Sequence, residues 1–371
     1  MQTNIKLEVD SVKKILILAN SSGGLYDFRN DFVLGLLKDY EIYVSIPDEV
    51  KTKELAEEGC KIIKTPINRR GVNPVEDFKL FLAYRKLMKE IKPDLVATYT
   101  IKPNIYGGMA AQSRKLPYIE TITGLGGAFD RKGLFLKLIV TLYRIGMKRA
   151  ECIFFQNREN RQIFRDFGIE GKSECLVNGS GVDLIRHTFE PYPTDEKCQF
   201  LFVGRVMKER GIVEFLEAAK KLHSENVEFA ILGYCDEDYQ QQLDDLEKQG
   251  VITQLGFHTE VHSYLKAASA IVIASFHEGM SNALIEASAT GRPVIASRIS
   301  GCKEAFEEGI TGFGFTPGKS EELIAAMEQF LSLPVKERAR MGQEARAKME
   351  REFDRQEVTA SYLQVVKKVL D

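Results

Sequence analysis

Lys14-Ile-Leu-Ile-Leu-Ala19, closed by Asn20-Ser-Ser-Gly-Gly24, and Gln199-Phe-Leu-Phe-Val203, closed by Gly204-Arg-Val-Met-Lys208, open two successive series of one pattern. Each is a continuous apolar run, then small or polar residues, then helical spacing, which after the first run continues through Phe28, Phe32 and Leu36. Downstream of the first lie Glu41–Ile46, Lys61–Lys64, Asp94–Thr98, Tyr118–Ile122, Glu151–Phe155 and Glu174–Val177, with a long helical stretch from Pro74 to Ile91. Downstream of the second lie Val227–Leu232, Val251–Leu255, Ala270–Ala274 and Pro293–Ala296. Apolar strands separated by helices, without hairpin turns, predict parallel sheets covered on both faces.

The chain of 371 residues is long enough for two such units. Between them, His187-Thr-Phe-Glu-Pro-Tyr-Pro-Thr-Asp-Glu-Lys197 is polar with two prolines and reads as a linker. The predicted fold is therefore α/β, two doubly wound Rossmann-like domains facing a central cleft. Ligands of such sheets bind beyond the C-terminal strand ends. The last helix, after Phe353, spaces Val358, Tyr362, Val365, Val366 and Leu370 as an apolar face that must be buried. The expected division is a first domain of residues 1–190 and a second of residues 191–354, with residues 355–371 a helix that must find an apolar surface.

Composition excludes several classes. The first 14 residues are polar, which argues against a secretory leader. The longest apolar stretch, Leu134–Tyr143, has about half of the ~20 residues a spanning helix needs. Cysteines at 60, 152, 175, 198, 235 and 302 form no CxxC and no short pair with histidine, so neither a zinc site nor a disulfide framework is predicted. The net charge of −2 hides a split: 30 Lys+Arg against 24 Asp+Glu in residues 1–190, and 21 against 29 in residues 191–371. The basic first half suits an anionic partner. The aromatic–basic interleaving of a nucleic-acid reader is absent, so no nucleic-acid partner is expected.

Phe276-His-Glu278-Gly-Met-Ser-Asn-Ala-Leu-Ile-Glu286 follows a strand and opens a helix. Glu278 falls in the loop, and Glu286, about two turns on at ~3.6 residues per turn, can face the same cleft. The backbone N–H groups of Gly279, Met280, Ser281, Asn282 and Ala283, with Ser281 or Asn282 as cap, would meet a diphosphate at the positive end of the helix dipole. A helix carrying glutamates for dipole reasons alone is the competing explanation. Gly204-Arg205-Val-Met-Lys208-Glu-Arg210 places three cations in a second strand-to-helix loop. Arg205 and Arg210 can bracket a phosphate pair there.

With these two segments the chain resembles the family 4 retaining glycosyltransferases of GT-B architecture. The resemblance rests on Glu278, Glu286 and Gly291-Arg-Pro-Val-Ile295, on Val203-Gly-Arg205, and on Gly309-Ile-Thr-Gly-Phe313. It extends to Gly23-Gly24 and to Asn178-Gly-Ser-Gly-Val-Asp183, so that it spans essentially the whole chain. One departure is Arg210, where relatives usually carry Lys before the glycine. Another is Thr123, where many relatives have a His that touches the donor sugar, so no such role is assigned.

The resemblance implies an acceptor-binding domain of residues 1–190, rejoined by 355–371, and a donor-binding domain of residues 191–354. It implies that Glu278 holds the donor sugar and Glu286 the ribose, and that Arg205 and Arg210 grip the diphosphate. Gly23, Gly24 and Gly204 would let backbone approach it. Transfer would proceed with retention, without a cofactor or metal, from a UDP-sugar as co-substrate, UDP being the family's habit. Tyr99-Thr-Ile-Lys-Pro-Asn104 and Thr121-Ile-Thr-Gly-Leu-Gly126 narrow the resemblance to bacterial capsule, O-antigen and protein-glycan enzymes. The diacetylbacillosaminyl-diphospho-undecaprenol N-acetylgalactosaminyltransferases are among these. Such enzymes extend a polyprenyl-diphosphate-linked saccharide at the inner membrane face.

Acceptor candidates are then Arg69, Arg70, Lys102, Asn104, Thr123 and Gly124, with solvated loop charge or a tight turn as rival explanations. Residues 131–150 carry six basic and no acidic side chains. They would form either a membrane-docking helix or a buried helix with basic ends. A cytoplasmic protein, peripheral on the inner membrane, is expected. Two other readings share the architecture: a sugar-nucleotide epimerase, and a non-catalytic nucleotide-sugar-binding partner subunit.

Overall fold

A computed structural model of the chain describes residues 12–68, 73–125, 129, 133–194 and 197–371. Within them, β1 (Lys14–Leu18), β2 (Glu41–Ile46), β3 (Lys61–Lys64), β4 (Leu95–Tyr99), β5 (Tyr118–Ile122), β6 (Cys152–Phe155) and β7 (Glu174–Leu176) form one sheet. Its order is β3-β2-β1-β4-β5-β6-β7, and every pairing is parallel. The helices of this half are α1 (Ser22–Leu37), α2 (Thr52–Glu57), α3 (Pro74–Ile91), α4 (Gly108–Arg114), α5 (Leu134–Met147) and α6 (Arg158–Asp166). A short π-helical turn, Pro103–Gly107, leads into α4.

The second sheet repeats the scheme with β8 (Cys198–Val203), β9 (Val227–Leu232), β10 (Thr253–Gly256), β11 (Ala270–Ile273), β12 (Val294–Ser297) and β13 (Gly312–Phe315). Its order is β10-β9-β8-β11-β12-β13, again parallel throughout. Its helices are α7 (Ile212–Leu222), α8 (Gln240–Lys248), α9 (His262–Ala267), α10 (Asn282–Ala289), α11 (Ser320–Ser332) and α12 (Val335–Glu352). Both sheets bury apolar side chains on both faces, which is why their central strands read largely as apolar runs.

Three local differences from the sequence pattern have physical causes. β13 is Gly-Phe-Gly-Phe, with no β-branched residue to announce it. Gly312 opposes Val294 in the ladder, and a Cβ there would collide with the Val294 carbonyl oxygen, so close strand approach demands glycine. β10 begins at Thr253, because Val251 and Ile252 are buried in the core before the ladder starts. Gly23 and Gly24 lie inside the first turn of α1 rather than in a loop before it. Ser21 is the N-cap, its side chain accepting from the Gly24 N–H at 3.3 Å.

The closing helix α13 (Arg355–Leu370) lies against α1. Its Val358, Tyr362 and Val366 are buried in the first sheet's core, where Tyr362 stacks on Phe154 with ring centroids 3.9 Å apart and tilts against Phe32 at 5.3 Å. The chain crosses between the halves twice, and the crossings run side by side. The Val182 N–H donates to the Phe353 carbonyl at 2.8 Å, and the Arg355 N–H donates to the Val182 carbonyl at 3.2 Å.

The linker is not loose where it is described. The fully buried Arg292 donates from Nη1 to the Glu190 carbonyl, from Nη2 to the Pro191 and Lys266 carbonyls, and from Nε to the Leu265 carbonyl.

Candidate active site

β11 ends at Ile273, and the chain then loops through Ser275 and Glu278 before α10 begins at Asn282. The loop is laced to its neighbour by the Phe276 N–H, which donates to the Glu209 carbonyl at 3.0 Å. Glu209 belongs to a single 3-10 turn, Lys208–Arg210, closed by Gly211 at φ 74°. A side chain on Gly211 would run into the Ala274 carbonyl, so glycine is what lets these two loops meet. Their meeting carries Arg210 onto Glu278: the guanidinium is ion-paired with the carboxylate, and the Ser275 hydroxyl donates to the same oxygen at 3.0 Å. Burial pushes the Glu278 carboxyl up from its ordinary range, and Arg210, Ser275 and Arg205 oppose that rise.

A cavity of about 260 Å³ opens here between the halves. The first half lines it with Gly24, Arg29, Thr100, Thr123, Gln156 and Ser180, among others, and the second half with Arg210, Glu278, Met280 and Asn282. The halves touch at its edge. The Asn157 side-chain amide donates to the Gly279 carbonyl at 2.6 Å, and a Cβ on Gly279 would collide with the Thr123 carbonyl. A Cβ on Gly124 would stand 3.2 Å from the Gly279 nitrogen. Glycine at 124 and 279 is thus required by the approach of the halves. At Gly23 and Gly24, by contrast, nothing beyond the adjoining residues and the helix's own backbone would lie nearer than 3.6 Å to a Cβ.

Ser281 occupies the N-cap position of α10, but its side chain makes no cap hydrogen bond. Its own N–H is not free for a ligand, since it donates to the Gly301 carbonyl at 2.8 Å. The open donors at the positive helix end are therefore those of the first turn, beginning with Asn282 and Ala283.

Other predicted site residues stand elsewhere. Arg205 is ion-paired with Asp236 at 2.7 Å and does not line the cavity, and neither does Gly204, whose φ of 146° only glycine takes readily. Lys102 is half-buried in an ion pair with Asp77 at 2.7 Å, and the Tyr106 hydroxyl shares the same carboxylate. Asn104 is buried and spent: its Oδ1 accepts from the Thr98 hydroxyl at 2.7 Å and its Nδ2 donates to the Thr121 carbonyl at 2.9 Å. It fastens β4 to β5 and does not line the cavity. Arg69 and Arg70 lie outside the described residues.

Glu286 also lies off the cavity lining, on α10. Burial pushes its carboxyl from an ordinary 4.5 up to about 7, although Arg355 and Arg186 oppose the rise. The folded chain holds this proton more tightly than the unfolded chain. The stability it brings is complete below about pH 4.5 and is lost as pH rises through 7. Thermal unfolding of wild type and Glu286→Gln from pH 4.5 to 8 should show the difference moving in the variant's favour by about 1–2 kcal/mol, with most of the change before pH 7. A pH-independent difference would contradict the assignment.

Two parallel-sheet domains, meeting at a glutamate–arginine pair and an uncapped helix terminus, are the arrangement expected of a GT-B glycosyltransferase. Comparison with known proteins agrees. Residues 14–157 match the family described as Glycosyl transferase 4-like, and residues 186–348 match Glycosyl transferases group 1. The chain is a member of this GT-B glycosyltransferase family 4.

It is 26% identical over 319 residues to the N,N'-diacetylbacillosaminyl-diphospho-undecaprenol alpha-1,3-N-acetylgalactosaminyltransferase of Campylobacter jejuni, covering 81% of this chain and 84% of that one. It is 25% identical over 321 residues to the UDP-Gal:alpha-D-GlcNAc-diphosphoundecaprenol alpha-1,3-galactosyltransferase of Escherichia coli, covering 81% of each. Among solved structures, Anabaena HepE in complex with UDP-glucose superposes with a TM-score of 0.79 at 18% identity, covering 96% of this chain and 99% of that one.

Proposed function

We propose that the protein transfers a hexosyl or N-acetylhexosaminyl group from a UDP-sugar to an undecaprenyl-diphosphate-linked saccharide, with retention and without a bound metal. The observation that carries this is the Arg210–Glu278 pair at the uncapped start of α10, facing the first half across the cavity. In this reading Arg210 and the first N–H groups of α10 take the charge that develops on the leaving diphosphate, and Glu278 orients the sugar. Arg205 joins them by exchanging Asp236 for phosphate. Glu286 receives the ribose hydroxyls, while Gly23 and Gly24 leave room for the phosphates. Thr123 and Gly124 border the acceptor side. The names of the two relatives support the substrate class.

The reading includes work at the cytoplasmic membrane face. On α5, Ile139, Val140, Tyr143 and Met147 are buried while Leu134, Leu138 and Ile145 are exposed, beside Lys137, Lys148 and Arg149. An exposed apolar stripe among cations suits an anionic lipid surface. Among the described residues no helix is long and apolar enough to cross a membrane.

UDP at 100 times its dissociation constant should stabilise the chain by about 2.7 kcal/mol in thermal unfolding, with GDP well behind. UDP release from a panel of UDP-sugars is then measured with undecaprenyl-diphosphoryl sugar in anionic and in neutral vesicles. Acceptor-dependent release, faster on anionic vesicles, is expected. Interconversion of a UDP-sugar without acceptor would replace this reading by an epimerase, and equal rates on both vesicles would remove the lipid-surface part.

A further inference from the structure

Arg29 sits on α1, only 6% exposed, and lines the cavity across from Arg210. Its Nη2 donates to the Gly179 carbonyl at 3.2 Å, and its guanidinium lies 4.9 Å from the Tyr362 ring centroid and 5.8 Å from that of Tyr99. It forms no ion pair among the described residues. The carboxylates of its own helix serve other cations: Asp31 reaches Arg355 at 3.8 Å, and the field on Asp27 comes from Arg186, Lys51 and Arg355. Removing a guanidinium from water without a counter-charge costs several kcal/mol. One carbonyl and two ring faces do not offset that.

A second observation marks the same wall. Thr100, which also lines the cavity, holds φ at 74°, a conformation β-branched residues rarely adopt, and its hydroxyl is buried without a hydrogen-bond partner. Strain and an unused hydroxyl thus lie at the end of β4, next to an uncompensated cation. With Arg29, Arg210 and Glu278 as its charged lining, the cavity carries an excess of positive charge awaiting an anion.

We propose that Arg29 is a diphosphate-binding residue contributed by the first half, its missing counter-charge arriving with the ligand. This rests on the glycosyltransferase reading above, in which both substrates carry a diphosphate, the nucleotide of the donor and the prenyl diphosphate of the acceptor. Arg29 belongs to the first half and Arg210 to the second, so an anion held by both would bridge the halves across the cavity. Arginine suits the task because its planar fork can keep one N–H on Gly179 while presenting others to phosphate oxygens.

Calorimetric binding of UDP, of uridine, and of farnesyl diphosphate in the presence of saturating UDP, measured on full-length wild type, Arg29→Gln and Arg29→Lys, tests this. Arg29→Gln should weaken one diphosphate ligand by about 10–100-fold and leave uridine unchanged, with Arg29→Lys in between. Weakening of UDP assigns the donor's diphosphate, and weakening of farnesyl diphosphate alone assigns the acceptor's. Unchanged affinities for both, or equal weakening of UDP and uridine, would overturn the proposal and leave Arg29 as a packing residue. If Arg29→Gln does not fold, the Lys variant decides by the same comparison. Wild type that binds neither diphosphate would overturn the proposed transfer from a UDP-sugar to a prenyl diphosphate, an outcome distinct from a silent Arg29 variant.

Discussion

Replacing Arg210 by alanine is expected to lower kcat by about 10²–10³-fold, the loss typical when one preorganised donor to developing charge is removed. Two effects combine. The leaving diphosphate loses its cation, and Glu278 loses the partner that opposes the upward push of burial on its carboxyl. Glu278 then binds a proton more readily, and the sugar loses a charged acceptor. Arg205→Ala should cost less, about tenfold, because that guanidinium is held on Asp236 and lies off the cavity. Arg210→Lys, which restores the residue relatives usually carry, should retain activity within about tenfold of wild type. Steady-state UDP release under saturating donor and acceptor gives all three values. A loss for Arg205→Ala as large as that for Arg210→Ala would reverse the ranking.

Arg292→Ala is expected to destabilise the chain by about 3–5 kcal/mol, the largest effect on stability. The side chain is fully buried, and its N–H groups are spent on the Leu265, Lys266, Glu190, Pro191 and Gly291 carbonyls, with no carboxylate among them. Burial lowers its pKa to about 10, so it remains cationic at neutral pH. Truncation leaves an arginine-sized void and several carbonyls unpaired at once, each costing about 1–3 kcal/mol when nothing replaces the donor. Denaturant unfolding of wild type and variant measures the difference. A loss below about 1 kcal/mol would mean that water takes over the carbonyls and that the linker is not secured by this residue.

Much of this was readable because it is local. A buried parallel strand is an apolar run, and the central strands announce themselves that way; the edge strands β3, β7 and β10 hold only one or two apolar residues each, and the glycines of β13 answer a carbonyl on another strand. The loop pair that joins Arg210 to Glu278 was legible because each loop follows a strand and opens a helix. What stayed hidden depends on partners distant in sequence. Lys102 reads as a free cation until Asp77 is seen beside it, and Asn104 as a polar contact until Thr98 and Thr121 claim it. Arg29 carries a sequence signal of its own: it falls between Leu25 and Phe32 on the buried stripe of α1 that ends at Leu36. A charge on a core-facing stripe asks where its counter-charge is.

The paired crossings at Val182 and Phe353–Arg355 bear on how such a chain is made and remade. The second domain is, in effect, an insertion whose two ends emerge hydrogen-bonded side by side. A ribosome delivers α13 only after the whole second domain, so the first domain waits with its Phe154 and Phe32 side uncovered until everything between has been synthesised. For the protein engineer the same geometry defines a cassette. The stretch between the crossings can be exchanged for that of a relative at two adjacent joints, whereas a single cut at the linker would strand the last helix with the wrong half.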